Sequence, residues 1–188
     1  KRLTLDQVSI GVDYVLIIST QSGLWGYNMG DTVQFTSTTP YRVIVSGRIK
    51  HFISAFGEHV IAKEVEYAMQ QALAQSDAQI NEFTVAPQIT PESGLPYHEW
   101  LIDFEKMPSD LEAFAQALDI AMRSQNTYYD DLIAGSVLRR LVITPLGRHC
   151  FSDYMRSLGR LGGQNKVQRL SNDRQMADAL HSFNTLAK

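Results

Sequence analysis

The sequence predicts an α+β fold: antiparallel β strands first, then a small α/β sandwich in α-β-β-α-β-α order. Three observations carry that prediction. Short β-branched and aromatic runs, separated by turn residues, fill the first fifty positions. From Glu58 the apolar period lengthens to that of a helix. Helical and strand-like segments then alternate towards the C-terminus. The change of pattern places a domain boundary near Lys50, with residues 1–49 before it and residues 50–188 after it.

The elements follow in order. Tyr14–Ser19 is a β-rich run closed by Ser22-Gly23. Thr32–Thr36 and Tyr41–Val45 read as two further strands around a turn at Ser37–Pro40. Ile61, Val65, Ala68 or Met69, and Ala72 recur at helical spacing and make one apolar face. Two strands are expected at Glu82–Ala86 and Tyr97–Phe104, joined by a Pro/Gly-rich loop over Thr90–Pro96. Behind Pro108, Ser109-Asp110-Leu111-Glu112 has the form of a capping box and opens a helix with Leu111, Phe114, Leu118 and Met122 inward. Val137–Ile143 reads as a strand, and a helix bearing Phe151, Tyr154 and Leu158 ends at Gly159. A last helix starts near Ser171, after the loop Gly162-Gly163-Gln164-Asn165-Lys166.

Composition narrows the class of function. Of 188 residues 44% are hydrophobic and 20% charged, enough apolar material for a packed core in a soluble chain. Seventeen basic against twenty acidic residues give a formal charge of −3, which argues against nucleic acid as the main partner. A single cysteine, Cys150, excludes an internal disulfide framework and a multi-cysteine zinc site, and fits a cytoplasmic location. No stretch approaches the ~20 apolar residues that span a bilayer, so no membrane partner is expected. The opening Lys1-Arg2-Leu3-Thr4 carries no initiator Met or signal peptide, and the chain is expected to be a fragment of something larger.

Several residues are candidates for chemistry. Asp31 follows a glycine turn, where a carboxylate can accept hydrogen bonds from both hydroxyls of a ribose; ordinary turn chemistry is the alternative. Tyr27 is near enough in sequence to line the same site, although such aromatics more often serve the core or an edge. Arg48, at a strand exit, can grip ribose or phosphate oxygens through its planar fork, or simply face solvent. Lys50 and His51 stand between the two parts, where a few backbone angles can absorb a rotation. Lys166 lies in a glycine-containing loop, from which its ammonium can meet charge developing on a carboxylate and a phosphate; an exposed loop lysine is the plain alternative. The five histidines show no metal-ligand spacing, so no metal site is expected. Cys150 beside His149 does not make a nucleophile–base pair, since helical neighbours at i and i+1 face different ways.

In order, these segments resemble the adenylate-forming superfamily of acyl-CoA synthetases, luciferases and peptide-synthetase adenylation domains. Its Tyr-x-x-Gly-Asp type motif matches Tyr27-Asn28-Met29-Gly30-Asp31. Gly-Arg-x-Asp-Asp-x-Ile-x-x-x-Gly matches at Gly47, Arg48, Ile53 and Gly57, with Lys50 and His51 in place of the two acids. Gly-Lys-Ile/Val-x-Arg matches Lys166-Val167-Gln168-Arg169, with Asn165 in place of the glycine. The stretches Gly23–Asp31, Ser54–Glu58 and Leu161–Lys166 look like one branch, the auxin-responsive promoter family of acyl acid amido synthetases and its bacterial relatives.

That resemblance implies the C-terminal third or so of an ATP-dependent ligase that uses Mg2+, adenylates a carboxylic acid and passes the acyl group to an amine, by analogy an amino acid. Residues 1–49 would be the last strands of a large N-terminal adenylation domain, and residues 50–188 its mobile lid. Asp31, Arg48 and Tyr27 would hold the nucleotide, Lys50 would be the hinge and Lys166 the catalytic lysine. The family's phosphate-binding loop has no counterpart here and belongs to the N-terminal domain, so the isolated fragment is expected to be inactive. A thioester-forming ligase acting on coenzyme A, and a non-catalytic domain that keeps the fold, are the alternatives.

Overall fold

The computed structural model describes residues 2–48, 52–159 and 166–184. The chain divides into two compact units, Lys1–Lys50 and His51–Lys188.

The first unit is an antiparallel sheet of β1 (Asp13–Ile18), β2 (Tyr27–Thr38) and β3 (Tyr41–Arg48), in that spatial order. β2 and β3 run further than the β-branched residues alone predict, because their ladder continues to Asp31 opposite Arg48 and Thr32 opposite Gly47. Val33 and Phe35 point inward and are buried. Phe35 is held edge-on by Tyr14 at 5.9 Å and by Tyr41 at 6.0 Å.

The second unit opens with a short pair, β4 (Phe52–Ile53) against β5 (Val60–Ile61). Here the structure corrects the sequence reading. Glu58 is not the start of a helix; it lies in the connection, fully buried, and α1 runs over Ala62–Ala74. Its buried face is Val65, Ala68, Met69 and Ala72, as the spacing predicts.

β6 (Gln79–Gln88), β7 (Tyr97–Lys106) and β8 (Val142–Leu146) make a three-stranded sheet, with β6 antiparallel and β8 parallel to the central β7. Helices cover both of its faces. Phe83, Val85, Trp100 and Ile102 pack with α1 and with α2 (Leu111–Gln125), while Ala86, Leu101 and Leu146 pack with α4 (Cys150–Ser157) and α5 (Gln175–Phe183). β7 is therefore buried from His98 to Phe104, as a strand covered on both faces must be. Fully burying Leu101 or Ile102 contributes about 2 kcal/mol each.

Three more elements depart from the sequence reading. α2 is capped by Asp110, whose Oδ1 accepts the Ala113 amide at 2.9 Å; Ser109 bonds Asp77 instead. A helix outside the expected element order, α3 (Thr127–Ala134), holds Asp130 and Asp131, the acidic pair whose sequence reads as a solvated helix start, and Asp130 pairs with Arg123. Asn126 ends α2 and caps α3 through its Oδ1, which accepts the Tyr129 amide at 2.9 Å. β8 starts at Val142, so Val137–Leu141 is not strand; Leu138 and Leu141 are buried there as anchors for a coil.

Candidate functional site

In the first unit, Asp31 owes its setting to an irregularity in β2. Val15 pairs with Thr32 and Ile17 with Asn28, so Met29, Gly30 and Asp31 together oppose the single residue Leu16. Such a bulge needs one residue outside ordinary strand conformation, and Gly30, at φ +77°, supplies it. The Gly30 amide is satisfied by Asn28 Oδ1 at 2.9 Å. On the other side of β2, Asp31 stands directly opposite Arg48 and Thr32 opposite Gly47, just before the register shifts between Thr32 and Val33. Two residues seventeen positions apart are thus cross-strand neighbours, next to a bulge of the kind that re-aims side chains beside sites. Tyr27, at the start of the same strand and opposite Ile18, is half exposed.

Lys50 lies outside the described residues, as do the glycines of the loop before Lys166. Lys166 itself is exposed and belongs to no regular element. The chain after it is firmly seated in the second unit. Thr84 Oγ1 donates to the Gln168 carbonyl at 2.8 Å, the Val85 amide to the Arg169 carbonyl at 2.9 Å, and the Ser171 amide to the Val85 carbonyl at 3.0 Å. Leu170 completes a parallel bridge to Val85, so Gln168–Ser171 extends the edge of the sheet along β6. Asn172 Oδ1 accepts the Ser54 amide at 2.8 Å, tying this segment to the chain just after β4.

Beneath the Gly57-Glu58 pair lies a polar network that the sequence did not reveal. Glu58 Oε1 and His98 Nε2 are 2.9 Å apart with both side chains buried, and Glu58 Oε2 accepts the Phe56 amide at 2.8 Å. Asn126 Nδ2 donates to the Glu58 carbonyl and to Glu64 Oε2. The His98 ring stacks on Tyr129 at 5.1 Å, and the Tyr129 hydroxyl donates to Asp119 Oδ1 at 2.9 Å. Burial pushes the Glu58 carboxyl up, but the hydrogen bond and charge of His98, with the amide bonds, outweigh it and hold the group below its usual value. Glu64 goes the other way, because burial there outweighs its bonds to Ile61 and Asn126. Burial also opposes ionisation of Glu99, yet Thr144, Arg174 and His181 around it bring its carboxyl down. The hint in the sequence was an acid set directly after a turn glycine and before the apolar Val60-Ile61, with a histidine inside a strand.

Among the described residues no group of three or more His, Cys, Asp or Glu is placed to hold a metal ion, and no helix is long and apolar enough to cross a membrane. Cys150 is buried at the first turn of α4.

Comparison with known proteins agrees with this architecture. Residues 63–175 match the family model of the GH3 family C-terminal domain, and residues 1–48 that of the GH3 family central domain. Among solved structures, a GH3.15 acyl acid amido synthetase superimposes with a TM-score of 0.73 at 19% identity, over 96% of this chain and 35% of that one. AtGH3.15 acyl acid amido synthetase in complex with 2,4-DB gives 0.71 at 18% identity, over 96% and 34%. The chain thus spans about a third of the length of either protein. No curated protein matches it.

Proposed function

The chain belongs to the GH3 family, and from that membership we propose that it is the C-terminal part of an ATP-dependent ligase that adenylates a carboxylic acid and transfers the acyl group to an amine, in particular an amino acid. The observation that carries the reading is the cross-strand register of Asp31 with Arg48 beside the Gly30 bulge. In this reading Asp31 takes the ribose hydroxyls, Arg48 holds ribose or phosphate oxygens, and Tyr27 lines the same nucleotide site. Residues 1–49 complete a larger nucleotide-binding domain, and residues 50–188 act as a lid that turns about Lys50. Mg2+ enters with the triphosphate and screens its phosphates.

The proposed reaction has two steps. The carboxylate oxygen attacks the α-phosphorus of ATP and pyrophosphate leaves. Lys166 neutralises the negative charge that grows on the carboxylate and α-phosphoryl oxygens as the bond forms. The amine then attacks the acyl carbon, losing a proton, and AMP departs. Lid motion of the kind known to gate enzymes separates the two steps, by bringing Lys166 in for the first and withdrawing it for the second.

Asp31→Ala tests the nucleotide site. In the full-length protein it is expected to weaken nucleotide binding by about tenfold or more, the loss of two hydrogen bonds to a charged acceptor. Isothermal titration with ATP reads this directly. An affinity equal to the wild type would remove Asp31 from the site.

A further inference from the structure

Arg169 is more extensively engaged than a strand-edge arginine needs to be. Its guanidinium pairs with Glu82, lies 3.6 Å from Glu66 Oε1, donates from Nη1 to the Phe83 carbonyl at 3.2 Å, and covers the Phe83 ring at 4.6 Å from the centroid. All three partner residues belong to α1 or β6, so a single side chain clasps two elements of the second unit. It sits three residues after Lys166, and the backbone on either side of it carries the bonds to Thr84 and Val85.

From this clasp we infer that Arg169 is a positioning residue for Lys166. The inference rests on the ligase reading above. A lysine on a loop can serve a transition state only from a defined point of departure. Three residues span at most ~11 Å, so the seat of Arg169 sets where the side chain of Lys166 can begin its reach. The sheet does not depend on this clasp. β6 is paired with β7 in continuous register from Glu82 to Gln88, and Phe83 stacks on Trp100 at 5.7 Å. Loss of the guanidinium therefore loosens the Gln168–Ser171 edge and leaves the core in place.

The test uses the full-length protein and acid-dependent pyrophosphate release. Arg169→Ala is expected to lower the kcat of adenylation by about 10- to 100-fold, the scale of a misplaced catalytic group, with KM for ATP within about twofold. Arg169→Lys is expected to fall nearly as far, because it keeps the charge without the planar fork that reaches Glu82 and the Phe83 carbonyl together. Added to Lys166→Ala, Arg169→Ala is expected to cost little more, since it acts through the lysine. Amide exchange at Val85 and Ser171 is expected to quicken in Arg169→Ala, while the β6–β7 ladder keeps its protection.

An equal loss of rate in the wild-type and Lys166→Ala backgrounds, or unchanged exchange at Val85 and Ser171, overturns the positioning role. A wild-type protein that releases no pyrophosphate with any acid overturns the ligase reading, and this inference with it. The two failures are distinct, because only the second appears before any substitution is made.

Discussion

Lys166→Ala is expected to slow adenylation by about 10²- to 10³-fold, the loss that follows removal of one group stabilising charge in a transition state. ATP affinity is expected to change by less than about twofold, because the contact strengthens as the carboxylate attacks and contributes little to the bound ground state. Single-turnover formation of the acyl-adenylate, set beside equilibrium titration with ATP, separates the two quantities. The exposed position of Lys166, at the head of a segment seated on β6, suits a side chain that is recruited for one step. Equal losses in affinity and rate would make it a ground-state binding residue instead.

The second large effect concerns stability. Glu58→Ala leaves the buried His98 ring without its carboxylate and the partly buried Phe56 amide without its acceptor. Breaking a buried pair by removing one partner costs about 3–5 kcal/mol, a large share of the ~5–15 kcal/mol that keeps a domain folded. The expected fall in Tm is on the order of 10 °C, whereas Glu105→Ala, at an exposed position, is expected to change stability by less than about 0.5 kcal/mol.

The same pair gives the unit an acid-sensitive component. The Glu58 carboxyl is held below its ordinary value of 4.5, so it releases its proton more readily in the folded chain than in the unfolded one. Its contribution is complete above that value and is lost as the pH falls through the folded one. Glu99 has the same sign; Glu64, whose carboxyl is raised, has the opposite sign and blunts the effect. Melting curves between neutral pH and pH 3 are expected to fall less steeply in Glu58→Gln than in the wild type. Parallel curves would show that Glu58 does not contribute in this way.

What could be read from the sequence followed from local pattern. The Val65–Ala72 face of α1 and the inward face of α2 rest on a period that local residues set, and the structure keeps them, as it keeps strands at Glu82–Ala86 and Tyr97–Phe104. The boundaries that moved were decided by tertiary contacts. Val137–Leu141 has strand-like composition, but Leu138 and Leu141 are drawn into the core as coil, and pairing with β7 begins only at Val142. Ser109 has the form of an N-cap, yet Asp77, thirty-two residues earlier, captures it and leaves the cap to Asp110.

The same division applies to the site. Asp31, Arg48 and Lys166 stood out because glycines and motif order mark them. The cross-strand register of the first two is set by the β2–β3 pairing, which shifts between Thr32 and Val33 and which no local pattern announces. Glu58 and His98 are forty residues apart and meet only when β7 passes beneath the Gly57 turn; no spacing rule connects them. Arg169 likewise acquires its meaning from Glu66, Glu82 and Phe83, which only the fold brings to it.

The full-length protein is expected to activate a carboxylic acid as its adenylate. Pyrophosphate release with ATP, Mg2+ and a panel of small acids and amino acids tests it most directly. Release is expected to require an acid and all but disappear in Lys166→Ala. An intact, ATP-binding protein that releases none across the panel would contradict it, and would make this chain part of a binding protein that keeps the family fold.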